Sequence, residues 1–255
     1  MASASLSLTA LPGIPLIAPG DDLPALIIAA LREAGLGLVD GDILVVAQKI
    51  VSKAAGLYVD LDDVVPSQRA RDIAARVGKD PRHVEVVLRE ADEIVKIGPH
   101  VIVAAHRLGF VMANAGIDES NIEHGHGGRV LLLPRDPDGS ASALKQCLDQ
   151  AFGVSCGVIV NDSFGRPWRN GVVGVAIGAA GVPALVDRVG AKDLFGRRLK
   201  VTEIAVADEI ASAASLLMGQ ANEGLPVVLV RGYRAASPVG PAASLIRSRE
   251  RDMFR

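Results

Sequence analysis

The sequence predicts an α+β protein in which helices pack on mixed or antiparallel sheets. Three observations carry this. Apolar β-prone runs and capped helical patterns follow one another without a regular βαβ repeat. Two of the runs abut across a short turn, as in a hairpin. The 255 residues are 49% apolar, enough for a sizeable core, and neither a low-complexity linker nor an internal repeat divides them.

The elements follow in chain order. An Asp-Gly turn at Asp40 and Gly41 leads into a buried strand from Ile43 to Ala47, with Lys49 and Lys53 just beyond it. Ser67 caps a helical pattern (Ala70, Ile73, Ala74, Val77) that stops at Gly78. Asp80 and Pro81 supply the N-cap and first turn of a second helix. VIVAAHRLGFVMANAG reads as a hairpin turning near Leu108 and Gly109, and its second strand delivers NAGIDESN. A helix follows Arg135, with Ser140 or Ser142 as its cap and Gly153 past its end. An apolar strand then begins at Gly157 and breaks into polar residues at Asn161. Near the C-terminus come a long helix from about Thr202 to Met218, a polar loop and a strand, then a tail after Arg234 with a short charged helix.

Composition narrows the function. A net charge of -2 and 3% aromatic residues provide neither a phosphate-tracking face nor base-stacking platforms, so nucleic acid is not expected as a partner. Cys147 and Cys156 lack paired spacing, which predicts no disulfide and no structural metal. The N-terminal stretch has no basic region and carries three prolines, unlike a signal or transit peptide. The longest uncharged apolar run, Val172 to Val186, is too short and too glycine-rich to span a bilayer. These features predict a cytoplasmic protein with no membrane partner.

Candidate chemistry gathers around two carboxylates, Asp118 and Asp162, each a few residues past an apolar run. Such oxygens suit magnesium or manganese, and Ser163 adds a hydroxyl. Local structure offers another account, with Asp162 capping a turn and Asp118 opening a helix with Glu119. Arg166 and Arg169 match carboxylate or phosphate oxygens in a bidentate way, or else form surface ion pairs. Glycines 171, 174, 178 and 181 permit either close approach of a ligand or tight strand packing, and match no phosphate-loop or dinucleotide fingerprint. Lys49 and Lys53 are point charges for a phosphate or solvated lysines. Gln220 and Glu223, in a loop after the long helix, offer further oxygens or ordinary loop contacts. His124 and His126 sit close together in a glycine-rich segment to which no role is assigned.

The ordered set GIPLI and GDDL, GDILVVAQKIVSKAAG, NAGIDESN, NDSFGRPWRNGVVGVAIGAAG, KDLFGRRLKVTEIAVADEIASAASLLMGQ and GLPVVLVRG resembles the coenzyme F420:L-glutamate ligases, also called F420-0:gamma-glutamyl ligases. The resemblance covers nearly the whole chain. It implies one catalytic unit over residues 1–255, with two interwoven subdomains, an insertion in the middle third and no C-terminal nitroreductase-like domain. It also implies a homodimer that adds L-glutamate, through gamma linkages after the first, to the lactyl carboxylate of a deazaflavin coenzyme. GTP and Mg2+ or Mn2+ would be used, with K+ as an activator.

Residue by residue, the resemblance implies metal ligands at Asp118, Asp162, Ser163 and Gln220. It implies GTP contacts at Ile14, Pro15, Leu16, Ile17, Lys53 and Asn121, and along Met218, Gly219, Gln220, Ala221, Asn222, Glu223, Gly224 and Leu225. Gln48 and Lys49 are expected among the same GTP contacts, at positions where archaeal relatives carry Ser or Thr. Asp118, Asp162, Arg166 and Arg169 form the expected catalytic set, acting through an acyl phosphate. The alternatives are a ligase for a variant deazaflavin or another acid, and a catalytically silent nucleotide-binding relative.

Overall fold

The structure is a computed structural model describing residues 5–124, 126–234 and 237–253. Its centre is a five-stranded sheet built from β1 (Ser7–Ala10), β2 (Ile43–Ala47), β8 (Gly157–Arg166), β9 (Arg169–Ala180) and β12 (Val227–Arg231). The spatial order is β1-β12-β2-β8-β9, antiparallel throughout except for the parallel pair β2 and β8.

Both faces of this sheet are covered, and the alternation of side chains along each strand decides which helix meets which residue. Leu44, Val46, Val158, Val160 and Leu229 share one core with α1 (Leu23–Glu33), α2 (Gln48–Ala54) and α5 (Pro137–Phe152). Ile43, Val45, Ile159, Val228 and Val230 face α6 (Val206–Met218) on the other side. A strand covered on both faces must be apolar at every position, which accounts for the unbroken ILVVA run of β2.

The connection from α2 to α5 carries a third core. There α3 (Gln68–Val77) and α4 (Pro81–Glu90) pack with a three-stranded sheet of β4 (Ala91–Gly98), β5 (Val101–His106) and β6 (Val111–Ala113). A ribbon of β3 (Tyr58–Asp60) and β7 (Arg129–Leu131) joins this region to α2 and α5. A second ribbon, β10 (Val186–Asp187) with β11 (Glu203–Ile204), precedes α6.

The expected mixed α+β class holds, as do the strand at Ile43–Ala47, the hairpin of β5 and β6, and the caps of α3 and α4. Ser67 Oγ accepts from Ala70 N at 3.2 Å, and Asp80 Oδ1 accepts from Arg82 N at 2.8 Å. Two helix starts need correction. The cap of α5 is Asp136, whose Oδ1 accepts from Gly139 N at 2.9 Å, instead of Ser140 or Ser142. Asp136-Pro137 repeats the signal of Asp80-Pro81, with proline in the first turn where its missing N–H costs nothing. The long helix begins at Val206, because Glu203 and Ile204 are drawn into the β10 ribbon. The short charged helix expected in the tail is present, as a 3-10 turn at Arg249–Arg251.

The polar break at Asn161 is not the end of a strand. β8 continues to Arg166 because β9 pairs with it along its length, setting Asp162 opposite Val175 and Ser163 opposite Gly174. Two of the glycines in β9 serve helix packing. A Cβ on Gly174 would lie 2.4 Å from the Ala211 carbonyl oxygen of α6, and one on Gly178 would lie 2.2 Å from the Pro137 carbonyl oxygen of α5. The β9 glycines thus bring helix backbone against the hairpin from both faces.

Candidate functional site

Parallel pairing brings the C-terminal end of β2 beside the middle of β8, with Ala47 opposite Asn161. The next residues in each strand direction are Gln48 and Asp162. Ligand sites gather where a strand ends because loops and helix starts can converge there.

Asp118 reaches this place from the middle region through a strained turn. Asn114, Ala115 and Gly116 have φ of 50°, 52° and 69°, three left-handed residues in succession. Left-handed backbone at a non-glycine residue costs about 1–2 kcal/mol and persists where the surroundings enforce it. Here Asp118 is locked to Leu131 by two backbone bonds, Asp118 N to Leu131 O at 3.0 Å and Leu131 N to Asp118 O at 2.9 Å.

Its carboxylate is held from α2. Gln48 Nε2 donates to Oδ2 at 2.5 Å and Lys49 Nζ to Oδ1 at 2.8 Å. Gln48 is buried, and Ser52 Oγ fixes its amide by donating to Oε1 at 3.0 Å. Lys49 also donates to Ser120 Oγ at 3.3 Å, and Lys53 Nζ donates to the Asn121 carbonyl at 2.6 Å. Asn121 Nδ2 then donates to the Ala221 carbonyl at 2.7 Å, while Ala221 N donates to Glu223 Oε2 at 2.8 Å. One chain of bonds therefore joins α2, the segment 118–121 and the loop after α6.

Asp162 completes the cluster from β8. Its Oδ1 accepts from Ser163 N at 2.8 Å. Burial, then the charge of Asp118, push its carboxyl up to about 7, against the opposing Ser163 N–H and Lys49. Asp118 is also raised, by burial, although Lys49, Gln48 and Lys53 all pull it down. Lys53 is lowered, by burial and then by Lys49, with Asp118 opposing. Two carboxylates and two ammonium groups thus share one partly desolvated space, and each carboxylate is more costly to ionise because of the other.

The remaining predicted residues are spread around this cluster. Strand alternation turns the Ser163 side chain to the face of its partner Gly174, toward α6 and away from Asp162. Gln220, Asn222 and Gly224 are exposed on the loop, whereas Met218 is buried and receives a bond from Asn161 Nδ2 at 3.4 Å. Gly219 has φ of 71°, and Leu225 leads the loop half-buried toward β12. Ile14 and Ile17 pack on the α1 core, while Pro15 and Leu16 are exposed. Arg166 and Arg169 pair with each other at the end of the β8–β9 hairpin, beyond the carboxylate cluster. Arg169 is exposed, whereas Nη1 of Arg166 is buried without a partner among the described residues. His124 and His126 are both exposed.

Three residues near the cluster escaped sequence reasoning. Asn161 is buried beside Asp162 and donates to Ser215 Oγ at 3.1 Å, and its own Oδ1 has no partner among the described residues. A polar residue ending a fully apolar run was the available signal. Glu119 meets His83 of α4, Nδ1 to Oε1 at 2.8 Å, and no local pattern announces that pair.

The donor set fits a hard divalent cation of the kind that takes one or two carboxylates and completes its shell with substrate phosphates and water. Among the described residues no group of three or more His, Cys, Asp or Glu side chains gathers as an all-protein metal cage.

The family model described as F420-0:gamma-glutamyl ligase matches residues 13–232. The chain belongs to that family. It is 51% identical to the coenzyme F420:L-glutamate ligase of Methanothermobacter thermautotrophicus, over 98% of this chain and 99% of that protein. It is 51% identical to the protein of the same name from Methanopyrus kandleri, over 94% and 93%, and 46% identical to that from Archaeoglobus fulgidus, over 95% and 94%. The matched region of the F420-0:gamma-glutamyl ligase family includes α2, both carboxylates and the loop after α6.

The electrostatics make a prediction independent of any ligand. A carboxyl with a raised folded-state pKa contributes its stability fully below the unfolded value near 3.9 and loses it as pH rises through the folded value. For Asp162 that window ends near pH 7. Asp162→Asn should therefore gain on the wild type as pH rises from 5 to 8, by on the order of 2 kcal/mol after solvent screening, or several degrees in Tm. Thermal melts in metal-free buffer check this; a Tm difference that stays constant across the range contradicts it.

Proposed function

We propose that the chain joins L-glutamate to the lactyl carboxylate of coenzyme F420-0 and then extends the product through gamma linkages, using GTP and Mg2+ or Mn2+. The observation that carries the reading is the meeting of Asp118 and Asp162 with Lys49 and Lys53 where β2 ends beside β8. Family membership supplies the acceptor and the amine.

Amide formation from a carboxylate needs an activated acyl group. The acceptor carboxylate oxygen attacks the terminal phosphorus of GTP, so that a new P–O bond forms, the bridge to GDP breaks and an acyl phosphate results. The glutamate amine then attacks the acyl carbon, phosphate leaves with the C–O bonding pair, and the nitrogen loses a proton. Neither step requires a nucleophile from the protein; both require close positioning and neutralisation of charge.

Each residue has a place in that scheme. Asp118 and Asp162 would hold the divalent ion, with Gln220 as a further oxygen donor, and the ion would supply charge neutralisation at phosphate oxygens; the Ser163 hydroxyl, turned toward α6, lies on the other face. Gln48 and Lys49 fix the Asp118 carboxylate. Lys53 and Asn121 tie the segment after Asp118 to the loop 218–225, which together with Ile14–Ile17 would border the nucleotide. Arg166 and Arg169 would take anionic groups of the acceptor or glutamate. K+ activation and a cytoplasmic setting belong to the same reading. No helix among the described residues is long and apolar enough to cross a membrane.

The test is mass spectrometry of products from F420-0, L-glutamate, GTP and manganese. The wild type should give successive glutamyl additions that depend on GTP. Asp162→Ala should lower product by roughly 100-fold or more while remaining folded; turnover near the wild-type rate would sink the assignment.

The reading also includes a homodimer. Leu194 and Phe195 are 100% and 96% exposed on the arm between β10 and β11, and burial of such apolar side chains against a second copy would favour association. Light scattering should give a dimer, shifted toward monomer by Phe195→Asp; a wild-type monomer at micromolar concentration would contradict it.

A further inference from the structure

A cleft of about 600 Å³ opens between the β8–β9 hairpin, the β5–β6 hairpin and the segment around Leu245 and Ile246. Its walls include Phe110, Met112, Phe164 and Val175. Phe110 and Phe164 meet edge to face, with ring centroids 5.9 Å apart.

The cleft adjoins the carboxylate cluster by register. Val175 is the direct cross-strand partner of Asp162, and Phe164 lies two residues beyond Asp162 on the same strand face. Directly opposed residues have Cβ atoms about 5 Å apart. Arg166 lies four residues past Asp162, roughly 13 Å along a strand at about 3.3 Å per residue. Its Nη1 is buried with no partner among the described residues. Two carboxylates, Asp208 and Asp252, also line the cleft, and half-buried Asp208 accepts from Ala176 N at 2.9 Å.

We propose that this cleft is the acceptor subsite, taking a planar fused-ring aromatic head against the wall that contains Phe110, Met112 and Phe164 while Arg166 pairs with an anionic group of the same molecule. The inference rests on the ligase reading above and adds to it where the acceptor lies and which way it points. A ligand seated here directs one end toward Val175 and Asp162, where its carboxylate would be activated. Its ring end faces the apolar walls, and the buried Nη1 of Arg166, without a partner among the described residues, gains an anion. The volume falls within the usual range for small-molecule sites.

Two variants test the assignment, with F420-0 as the probe and the fluorescence of its deazaflavin ring as the binding signal. Ala113→Trp introduces a large side chain from an exposed position of the wall, and Arg166→Gln removes the charge. Both should raise the acceptor Kd and KM at least tenfold. Tm should stay within about 2 °C of wild type, and Ala113→Trp should bind GTP within twofold of wild type. If both variants hold F420-0 within twofold of wild type, the subsite is overturned, whether or not the wild type turns over. If the wild type binds F420-0 and the variants lose it, yet no glutamylated product forms, the subsite stands and the ligase reading falls. A wild type that binds no F420-0 overturns both.

Discussion

The site depends on the parallel pairing of β2 with β8. Antiparallel neighbours would have led the two chains out in opposite directions. Parallel ones need a long crossover, and here the crossover contains α3, α4 and three small strands with a core of their own. That inserted region returns Asp118 to the place where Gln48 and Asp162 lie. The insertion is thus a consequence of the pairing and also the source of one of the carboxylates.

The second constraint is electrostatic. Burial at a partly desolvated edge raises both carboxyls, Asp162 further through the charge of Asp118, and the protein offsets that cost with Gln48, Lys49 and the Ser163 amide. The strained turn at Asn114 to Gly116 adds a backbone cost on the same account. Costs of this kind concentrate where stability has been exchanged for function. Elsewhere apolar strands are covered on both faces and helix ends are capped by Asp, Ser and Gly.

The local layers were legible in sequence because their causes are local. Ser67, Gly78 and Asp80-Pro81 mark helix ends through bonds within one turn, and ILVVA needs burial on both faces. Asp136 was overlooked although it carries the same Asp-Pro signal, because two serines downstream offered competing caps. The continuation of β8 through Asn161, Asp162 and Ser163 was not legible. Polar residues break the apolar run, and they remain strand because β9 supplies their partners from elsewhere in the chain. The carboxylates could be named from their positions and from the family resemblance, but not their mutual distance. The cleft beside Val175 draws walls from three separated segments, so no single stretch of sequence contains it.

The central claim is that Asp118 and Asp162 share one field. A carbon-13 NMR titration of the Asp162 carboxyl in metal-free protein tests it most directly, in the wild type and in Asp118→Asn. The account predicts a wild-type midpoint near pH 7 that falls when the neighbouring charge is removed. A midpoint close to an ordinary aspartate, about 3.9, and indifferent to Asp118→Asn would contradict it.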